Sequence, residues 1–305
     1  MSPAALAIMF KKILCAIDFS PGSQRAMQLA ARVAKDDDAE LVIAHAWHMP
    51  PIAYAGEYSL PFETVGVMQQ DAERGLKDAA RELAGLGVKR VATKLLNGVP
   101  WAQIVETLEA DRTFDVVVMG THGRTALARV LLGSVAEKVV RHAPCSVLTT
   151  RPDGELGLFR HVLCPIDFSE SSRHAAELGI ELAARHDGKV TLVHVIEVPV
   201  LFRGEALAYD SVVDVDKRST HLLLQWAADL SAKTPISVTT RIEIGRAGAS
   251  LITVLENDPS VTLVVVGSHG RTGIRRALLG SVAEKIVRHS TCPVLVARRR
   301  DEHAR

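Results

Sequence analysis

The sequence predicts an α/β protein built from two tandem, doubly wound domains, each with a five-stranded parallel sheet. Three observations lead to this prediction. Short apolar runs alternate with helix-length segments along the whole chain. These runs are apolar throughout, as expected for strands of a parallel sheet that helices cover on both faces. The alternation occurs twice in 305 residues, a length that suits about two domains of ~150 residues.

Comparison of the chain with itself exposes the duplication. Residues 120–148 and 267–295 match without gaps at 20 of 29 positions. The starts of the two halves also match, since Leu-Cys-Ala-Ile-Asp-Phe-Ser at 14–20 corresponds to Leu-Cys-Pro-Ile-Asp-Phe-Ser at 163–169. We therefore place domain 1 at 1–151 and domain 2 at 159–305, with a turn-rich linker between them.

The elements follow from these patterns in chain order. In domain 1, apolar runs predict strands at 12–17, 41–46, 90–96, 115–119 and 146–150. Helical spacing between them predicts helices at 22–35, 64–86, 100–111 and 134–142.

Domain 2 repeats this order. Its strands are predicted at 161–166, 189–195, 237–244, 261–266 and 293–297. Its helices are predicted at 171–186, 209–232, 247–257 and 281–289. The segments 47–62 and 197–208 read as loops and differ between the halves, which is typical of lids or partner surfaces.

Composition argues against several classes of function. The 36 basic and 35 acidic residues give a formal charge of +1, so neither nucleic acid nor an anionic membrane is supported as the main partner. Four cysteines lie in or beside predicted buried strands without a Cys-x-x-Cys motif, which indicates core residues. The apolar segment 3–10 is too short to span a bilayer and follows no basic region, so we expect a cytoplasmic protein.

A glycine pattern follows the fourth predicted strand of each half. Gly120-Thr-His-Gly123 precedes Gly133-Ser134 by nine residues, and Gly-Ser-His-Gly at 267–270 precedes Gly-Ser at 280–281 by the same spacing. Glycine lets backbone N–H groups meet an anion without a Cβ in the way, and the following helix presents the positive end of its dipole. The pattern predicts one phosphate site in each half.

An alternative explanation applies to the same residues. Ser134-x-x-Glu137 and Ser281-x-x-Glu284 both fit the capping box, in which side chains satisfy the first N–H groups of a helix. Capping would then occupy donors that a phosphate needs. Because different N–H groups can serve each role, the two explanations are compatible.

Acidic residues end the first predicted strand of each half. Asp18 and Asp167 are expected at the crevice where the sheet changes winding direction. There a carboxylate can accept hydrogen bonds from ribose hydroxyls or hold a metal that bridges phosphates. Alternatively, each caps the following helix, together with Ser20 or Ser169.

The sequence shows no convincing catalytic machinery. It contains no P-loop, no dinucleotide fingerprint, no nucleophile elbow and no cluster of metal ligands. We therefore assign no catalytic residue. A pocket that binds phosphates without a placed base hydrolyses them slowly at best.

The strand ending in Asp-Phe-Ser, the His-Ala and His-Val strand ends at 45–46 and 194–195, and Gly-x2-Gly-x9-Gly-Ser resemble the universal stress protein family. The resemblance is to its tandem, ATP-binding type and covers nearly the whole chain. It implies an adenine nucleotide α-hydrolase-like fold, ATP as ligand, and a regulatory role in the stress response; a Mg²⁺ ion bridged by the phosphates near Asp18 and Asp167 is one option beside the ligand. Two alternatives stay open, a slow ATPase or phosphotransferase and a scaffold that does not use nucleotide.

The resemblance also implies, by position, which residues bind the nucleotide. In domain 1 they are Asp18, Ala46, Met119, Gly120, Gly123, Arg124, Gly133, Ser134 and Val135. In domain 2 they are Asp167, Val195, Val266, Gly267, Gly270, Arg271, Gly280, Ser281 and Val282. Ala46 and Val195 stand where a backbone group meets adenine. Domain 1 departs from the family at Ala16, where domain 2 has the more typical Pro165.

Partners follow from the same resemblance. Family members pair through their fifth strands, so 147–150 is expected to pair with 294–297 within this chain, which would also cover two sheet edges. A homodimer of the whole chain and a protein partner of unknown identity are further expectations.

Overall fold

The computed structural model describes residues 9–47, 62–121, 132–152, 159–197, 208–232, 234–270 and 279–299. The chain divides into two compact units, Met1–Asp153 and Gly154–Arg305. Among the helices of these described ranges, none is both long enough and apolar enough to cross a membrane.

Strands and helices alternate strictly in unit 1. In chain order the elements are β1 (Lys12–Ile17), α1 (Pro21–Asp37), β2 (Glu40–Trp47), α2 (Phe62–Gly85), β3 (Arg90–Asn97), α3 (Pro100–Ala110), β4 (Val116–Gly120), α4 (Ser134–His142) and β5 (Ser146–Thr150). The sheet order is β3-β2-β1-β4-β5, and neighbouring strands are parallel.

Unit 2 repeats this architecture. Its elements are β6 (His161–Ile166), α5 (Glu170–Ala184), β7 (Lys189–Ile196), α6 (Ala208–Ser231), β8 (Ser237–Ile244), α7 (Ala247–Asn257), β9 (Leu263–Gly267), α8 (Ser281–His289) and β10 (Val294–Ala297). The order is β8-β7-β6-β9-β10, again parallel. The predicted fold class is confirmed, and every predicted element is present with ends within two residues. The pairing of 147–150 with 294–297 stays a prediction.

Burial explains why the inner strands lack polar alternation. In β1, Ile13, Leu14 and Cys15 are fully buried, because α1 packs on β1 and right-handed crossovers place α3 and α4 on the opposite face of the sheet. The outer strands β3 and β8 instead expose polar and charged side chains such as Lys94 and Arg241. Lysine and arginine on an outer strand discourage unwanted strand pairing.

The winding direction changes at the first strand of each unit. The connection from β1 leads to its neighbour β2, whereas β4 occupies the opposite side of β1 after a crossover from β3. The two connections leave the sheet in opposite directions and open a crevice at the carboxyl ends of the strands. The ends of β1 and β6 therefore determine the shape of that crevice.

An unusual turn follows β1 and β6. Phe19 and Phe168 adopt left-handed backbone angles, with φ of 62° and 64°. Such angles are strained for a residue with a side chain and persist only where the surroundings hold them. Ring packing provides such surroundings. The ring centroid of Phe19 lies 4.6 Å from that of His45, and the ring centroid of Phe168 lies 4.6 Å from that of His194.

Candidate functional site

A cavity of about 260 Å³ lies at the carboxyl ends of the strands of unit 1. It brings together most of the predicted site residues of this half: Asp18, Ala46, Met119, Gly120, Gly133, Ser134 and Val135. Gly123 and Arg124 lie outside the described residues.

Unit 2 has a corresponding cavity of about 500 Å³. Its predicted lining residues are Asp167, Val195, Val266, Gly267, Gly270, Gly280, Ser281 and Val282, and all of them lie at this cavity. Arg271 lies outside the part of the chain that the structure describes.

Some residues that line the two cavities were not predicted from the sequence. The first two turns of α3 and α7 contribute Pro100 and Ile104 to the first cavity and Ala247 and Leu251 to the second. A signal for them existed, because the loop after every parallel strand opens at the same edge of the sheet. The second cavity also contains Glu197, Ser219 and His269, from the end of β7, from α6 and from the glycine loop.

Among the residues that the structure describes, no side chain caps the helix that follows the glycine pattern of unit 1. Gly133 is the N-cap of α4, with φ −60° and ψ 140°, and Ser134 is the first helical residue. Glu137 does not reach back to the cap but pairs with Arg141 at 3.3 Å. The capping-box explanation is therefore wrong for this helix, because serine stands one position too late to serve as the cap.

The same correction applies to α8. Gly280 is its N-cap without a side-chain hydrogen bond, and Glu284 pairs with Arg288 at 3.0 Å. The first helical hydrogen bond runs from the N–H of Glu284 to the carbonyl of Gly280, at 2.9 Å. The N–H groups of residues 281–283 come before this first bond, so they have no acceptor within the helix. All three residues line the cavity.

The start of α1 is capped instead. The hydroxyl of Ser20 accepts from the N–H of Ser23 at 3.2 Å. Asp18 Oδ1 in turn accepts from the N–H of Ser20 at 3.0 Å and from its hydroxyl at 2.5 Å. The serine is thus the cap, and the aspartate fixes the orientation of the serine. Of the alternative that Asp18 caps the helix together with Ser20, the serine part is confirmed, and Asp18 contributes through its hydrogen bonds to Ser20.

Asp167 is held in the same way in unit 2. Its Oδ1 accepts from the N–H and hydroxyl of Ser169 at 3.0 and 2.6 Å. Its Oδ2 faces the glycine loop, because a Cβ added to Gly270 would lie 2.9 Å from this oxygen. One carboxylate oxygen therefore serves the turn, while the other lies beside the predicted phosphate loop.

Two of the glycines have a packing role. A Cβ on Gly120 would lie 2.9 Å from the backbone carbon and oxygen of Gly22, and one on Gly267 would lie 2.8 Å from the backbone of Ser171. Real Cβ atoms essentially never approach backbone so closely, so these glycines allow the first helix to lie against the fourth strand. By contrast, a Cβ on Gly280 would find its nearest neighbour at 3.5 Å, an ordinary contact.

Backbone groups of the second strand reach the cavity at its other end. The pairing of β1 with β2 ends at Ile17 and His45, but β2 continues to Trp47. The carbonyl of Trp47 accepts from the N–H of Gly98 at 3.0 Å, so it points toward β3. Since successive residues of a strand point their backbone groups to opposite sides, the carbonyl of Ala46 points past the end of β1.

Val195 is placed identically in unit 2. The carbonyl of Ile196 accepts from the N–H of Gly245 at 3.0 Å, and the pairing of β6 with β7 ends one residue before Val195.

The two histidines near these strand ends, His45 and His194, each place Nδ1 within hydrogen-bond distance of a backbone carbonyl of the neighbouring strand. His45 Nδ1 lies 2.8 Å from the carbonyl of Ile17, which only accepts, so this nitrogen carries a hydrogen.

Comparison with known proteins finds relatives from one family. The model of the universal stress protein family matches residues 9–151 and again 158–298. Universal stress protein Rv2005c of Mycobacterium tuberculosis is 32% identical over 264 residues, covering 82% of this chain and 82% of its own length. A universal stress protein of Mycolicibacterium smegmatis is 29% identical over 302 residues, covering 94% and 97%.

A solved structure shows a similar fold over nearly the full length. The crystal structure of a universal stress protein from Archaeoglobus fulgidus superposes with a TM-score of 0.71 at 23% identity, covering 94% of this chain and 98% of that one. Two matches to the family model, one in each unit, account for most of the sequence. The chain therefore belongs to the universal stress protein family and carries two of its domains in tandem.

Proposed function

We propose that each unit binds one molecule of ATP and that the protein acts as a nucleotide-dependent regulator of the stress response. The phosphates would lie at the start of α4 or α8, and the adenine at Ala46 or Val195. The main support for this proposal is the start of α4 and α8. Each of these helices begins at a glycine, has no side-chain cap among the described residues, and opens onto a cavity.

The glycine at this helix start has no other evident reason to be a glycine. Gly280 has φ −60°, which any residue adopts, and a Cβ would fit there without a clash. Serine, threonine, asparagine or aspartate would cap the helix better. Close approach of an anion to the backbone explains the glycine, since such an anion replaces the missing cap and meets the positive end of the helix dipole.

The part of each cavity near Ala46 or Val195, where the adenine base would lie, supports the same ligand. A carbonyl that extends past its neighbouring strand is a hydrogen-bond acceptor, which suits the exocyclic amino group of adenine. The walls around it are apolar, with Ala46 and Ile104 in the first cavity and Val195 and Leu251 in the second. Apolar walls with a few placed polar groups are typical of sites for planar ligands.

Mg²⁺ fits this arrangement as a partner of the ligand. The described residues contain no group of three or more His, Cys, Asp and Glu side chains that could hold a metal ion. Mg²⁺ is commonly bound by one or two carboxylates together with substrate phosphates. Asp18 and Asp167 supply one carboxylate per cavity, so the ion would be held jointly with the nucleotide.

The test uses charge at the helix start. Ser134 and Ser281 are exposed first residues of their helices. Aspartate there favours the helix dipole, so the fold is kept, but its charge repels phosphate. Ser134→Asp and Ser281→Asp are each expected to remove one of two ATP sites in calorimetric titration, and the double variant both, while adenosine still binds.

The matched controls are Ser134→Asn and Ser281→Asn, which have nearly the same shape without the charge and should retain much more of the ATP affinity. Full ATP binding by the double aspartate variant would show that the phosphates lie elsewhere. A wild-type protein that neither carries adenine nucleotide after purification nor binds ATP would refute the proposed function.

A further inference from the structure

The first helix of each unit carries a different residue where it packs against the start of the glycine loop. Gly22 in the first turn of α1 corresponds to Ser171 in the first turn of α5, 149 residues further along the chain. Both lie against the glycine that ends the fourth strand, with their backbones at equally short distances from it. The backbone packing is thus the same, and Ser171 adds a side chain that Gly22 lacks.

Ser171 uses this hydroxyl on the loop itself. Its Oγ accepts from the N–H of His269 at 3.4 Å, and it would lie only 2.6 Å from a Cβ on Gly267. The hydroxyl therefore sits directly over the first glycine and contacts the residue before the second, Gly270. Gly270 lines the cavity and adjoins Asp167.

Neighbouring hydrogen bonds hold the same stretch from other sides. The carbonyl of Ser268 accepts from the N–H of Gly280 at 2.9 Å, which ties the loop to the start of α8. The hydroxyl of Ser268 lies 2.9 Å from Nδ1 of His269. With the contact from Ser171, both residues between Gly267 and Gly270 take part in hydrogen bonds with the protein.

We infer that Ser171 is a positioning residue for the second nucleotide site, where it presets the glycine loop for phosphate. This inference rests on the proposed function. A loop that is already ordered loses less conformational freedom when the ligand binds, so more of the contact energy appears as affinity. Gly22 brings no hydroxyl to the first site, so the second site prefers ATP over adenosine more strongly than the first does.

The experiment isolates the second site in the full chain. Ser134→Asp silences the first site, and in this background ATP and adenosine are titrated against the parent, Ser171→Gly and Ser171→Thr. Ser171→Gly installs the residue of the first unit. It should weaken ATP about threefold to tenfold, the range of one neutral hydrogen bond, and leave adenosine affinity close to that of the parent. Ser171→Thr keeps the hydroxyl and should restore most of the ATP affinity.

The ratio of ATP to adenosine affinity separates positioning from a structural role. An equal loss of both ligands would mean that the substitution disturbs the cavity as a whole, and this would overturn the inference. An unchanged ratio in Ser171→Gly, or a threonine variant as weak as the glycine variant, would overturn it too. If the parent background itself binds no ATP, the proposed function fails instead, so the two failures are distinguishable.

Discussion

The carboxylate of Asp18 receives two hydrogen bonds from Ser20, one from its backbone N–H and one from its hydroxyl. The bonded hydroxyl is the group that caps α1. A residue of the cavity wall thereby fixes the start of a core helix, and Asp167 does the same for α5. Under the proposed function, ligand binding and local stability would be linked through these two aspartates.

Replacing the aspartate by asparagine should separate its charge from its hydrogen bonds. In Asp18→Asn together with Asp167→Asn, the amide oxygen can still accept from the serine, but the bonds are no longer charge-assisted. We expect the free energy of unfolding to fall by about 1 kcal/mol per site. We also expect ATP affinity to lose most of its dependence on Mg²⁺, because the protein ligand for the ion is gone.

Denaturant unfolding and ATP titrations with and without Mg²⁺ measure both effects. Asp18→Ala with Asp167→Ala serves as the comparison, since it removes the acceptor as well and should destabilise the fold further. Undiminished Mg²⁺ dependence in the asparagine variant would contradict the role assigned to these carboxylates.

Two glycines of unit 2 should respond differently to the same added methyl group. Gly267→Ala places a Cβ within 2.8 Å of the Ser171 backbone, so helix and strand must move apart, at about 1–3 kcal/mol. Gly280→Ala meets only ordinary contacts. It should destabilise by about 1 kcal/mol or less, as expected for a poorer cap, but should weaken ATP binding at the second site by blocking the anion.

Each variant is the control for the other, with thermal unfolding and ATP titration applied to both. Gly267→Ala tests packing and Gly280→Ala tests ligand approach. If Gly280→Ala bound ATP as tightly as the wild-type protein, close approach of an anion would no longer explain a glycine at this cap.

Acid should destabilise unit 2 through His161. This side chain is buried, with its ring nitrogens 2.8 Å from the hydroxyl of Ser260 and 2.9 Å from that of Thr191. Burial, and secondarily the nearby Lys189, lower its pKa from the ordinary 6.5, although Asp258 acts in the opposite direction. The folded state therefore resists protonation at a pH where the unfolded chain already takes up a proton, and stability falls as pH drops through and below about 6.5.

Unit 1 has a lysine in the corresponding place. Lys12 lies 3.0 Å from Asp111 and 3.5 Å from Glu40. Hydrogen bonds from Thr113, followed by that from Lys12, lower the pKa of Asp111 to about 2. The favourable interactions of this carboxylate are thus kept until much lower pH.

The His161 contribution should appear as a smaller loss of unfolding free energy between pH 7.5 and 5 in His161→Asn than in the wild-type protein. Identical pH profiles for the two would argue against it.

The sequence predicted the fold well because burial on both faces makes inner strands apolar without interruption, as in β1 and β4. It also predicted many of the residues that meet at the cavities, since a parallel sheet places all its carboxyl ends together. The capping box failed for a specific reason. The spacing of Ser134 and Glu137 is correct for that motif, but the helix starts one residue earlier than the motif requires.

That starting point depends on a contact between distant residues. The N–H of Gly133 donates to the carbonyl of Thr121 at 2.8 Å, which fixes Gly133 at the cap position. No local pattern records such a bond. The packing role of Gly120 was hidden for the same reason, because its neighbour Gly22 lies about a hundred residues earlier in the chain.

Phe19 and Phe168 accept a backbone geometry that glycine would adopt without strain, and both halves of this chain make the same choice. A glycine there would relax the main chain but leave a ring-sized void beside a buried imidazole. Backbone strain next to the cavities therefore accompanies a well-packed interior. A substitution that removes the strain would open a void, and any side chain large enough to fill that space would retain the strain.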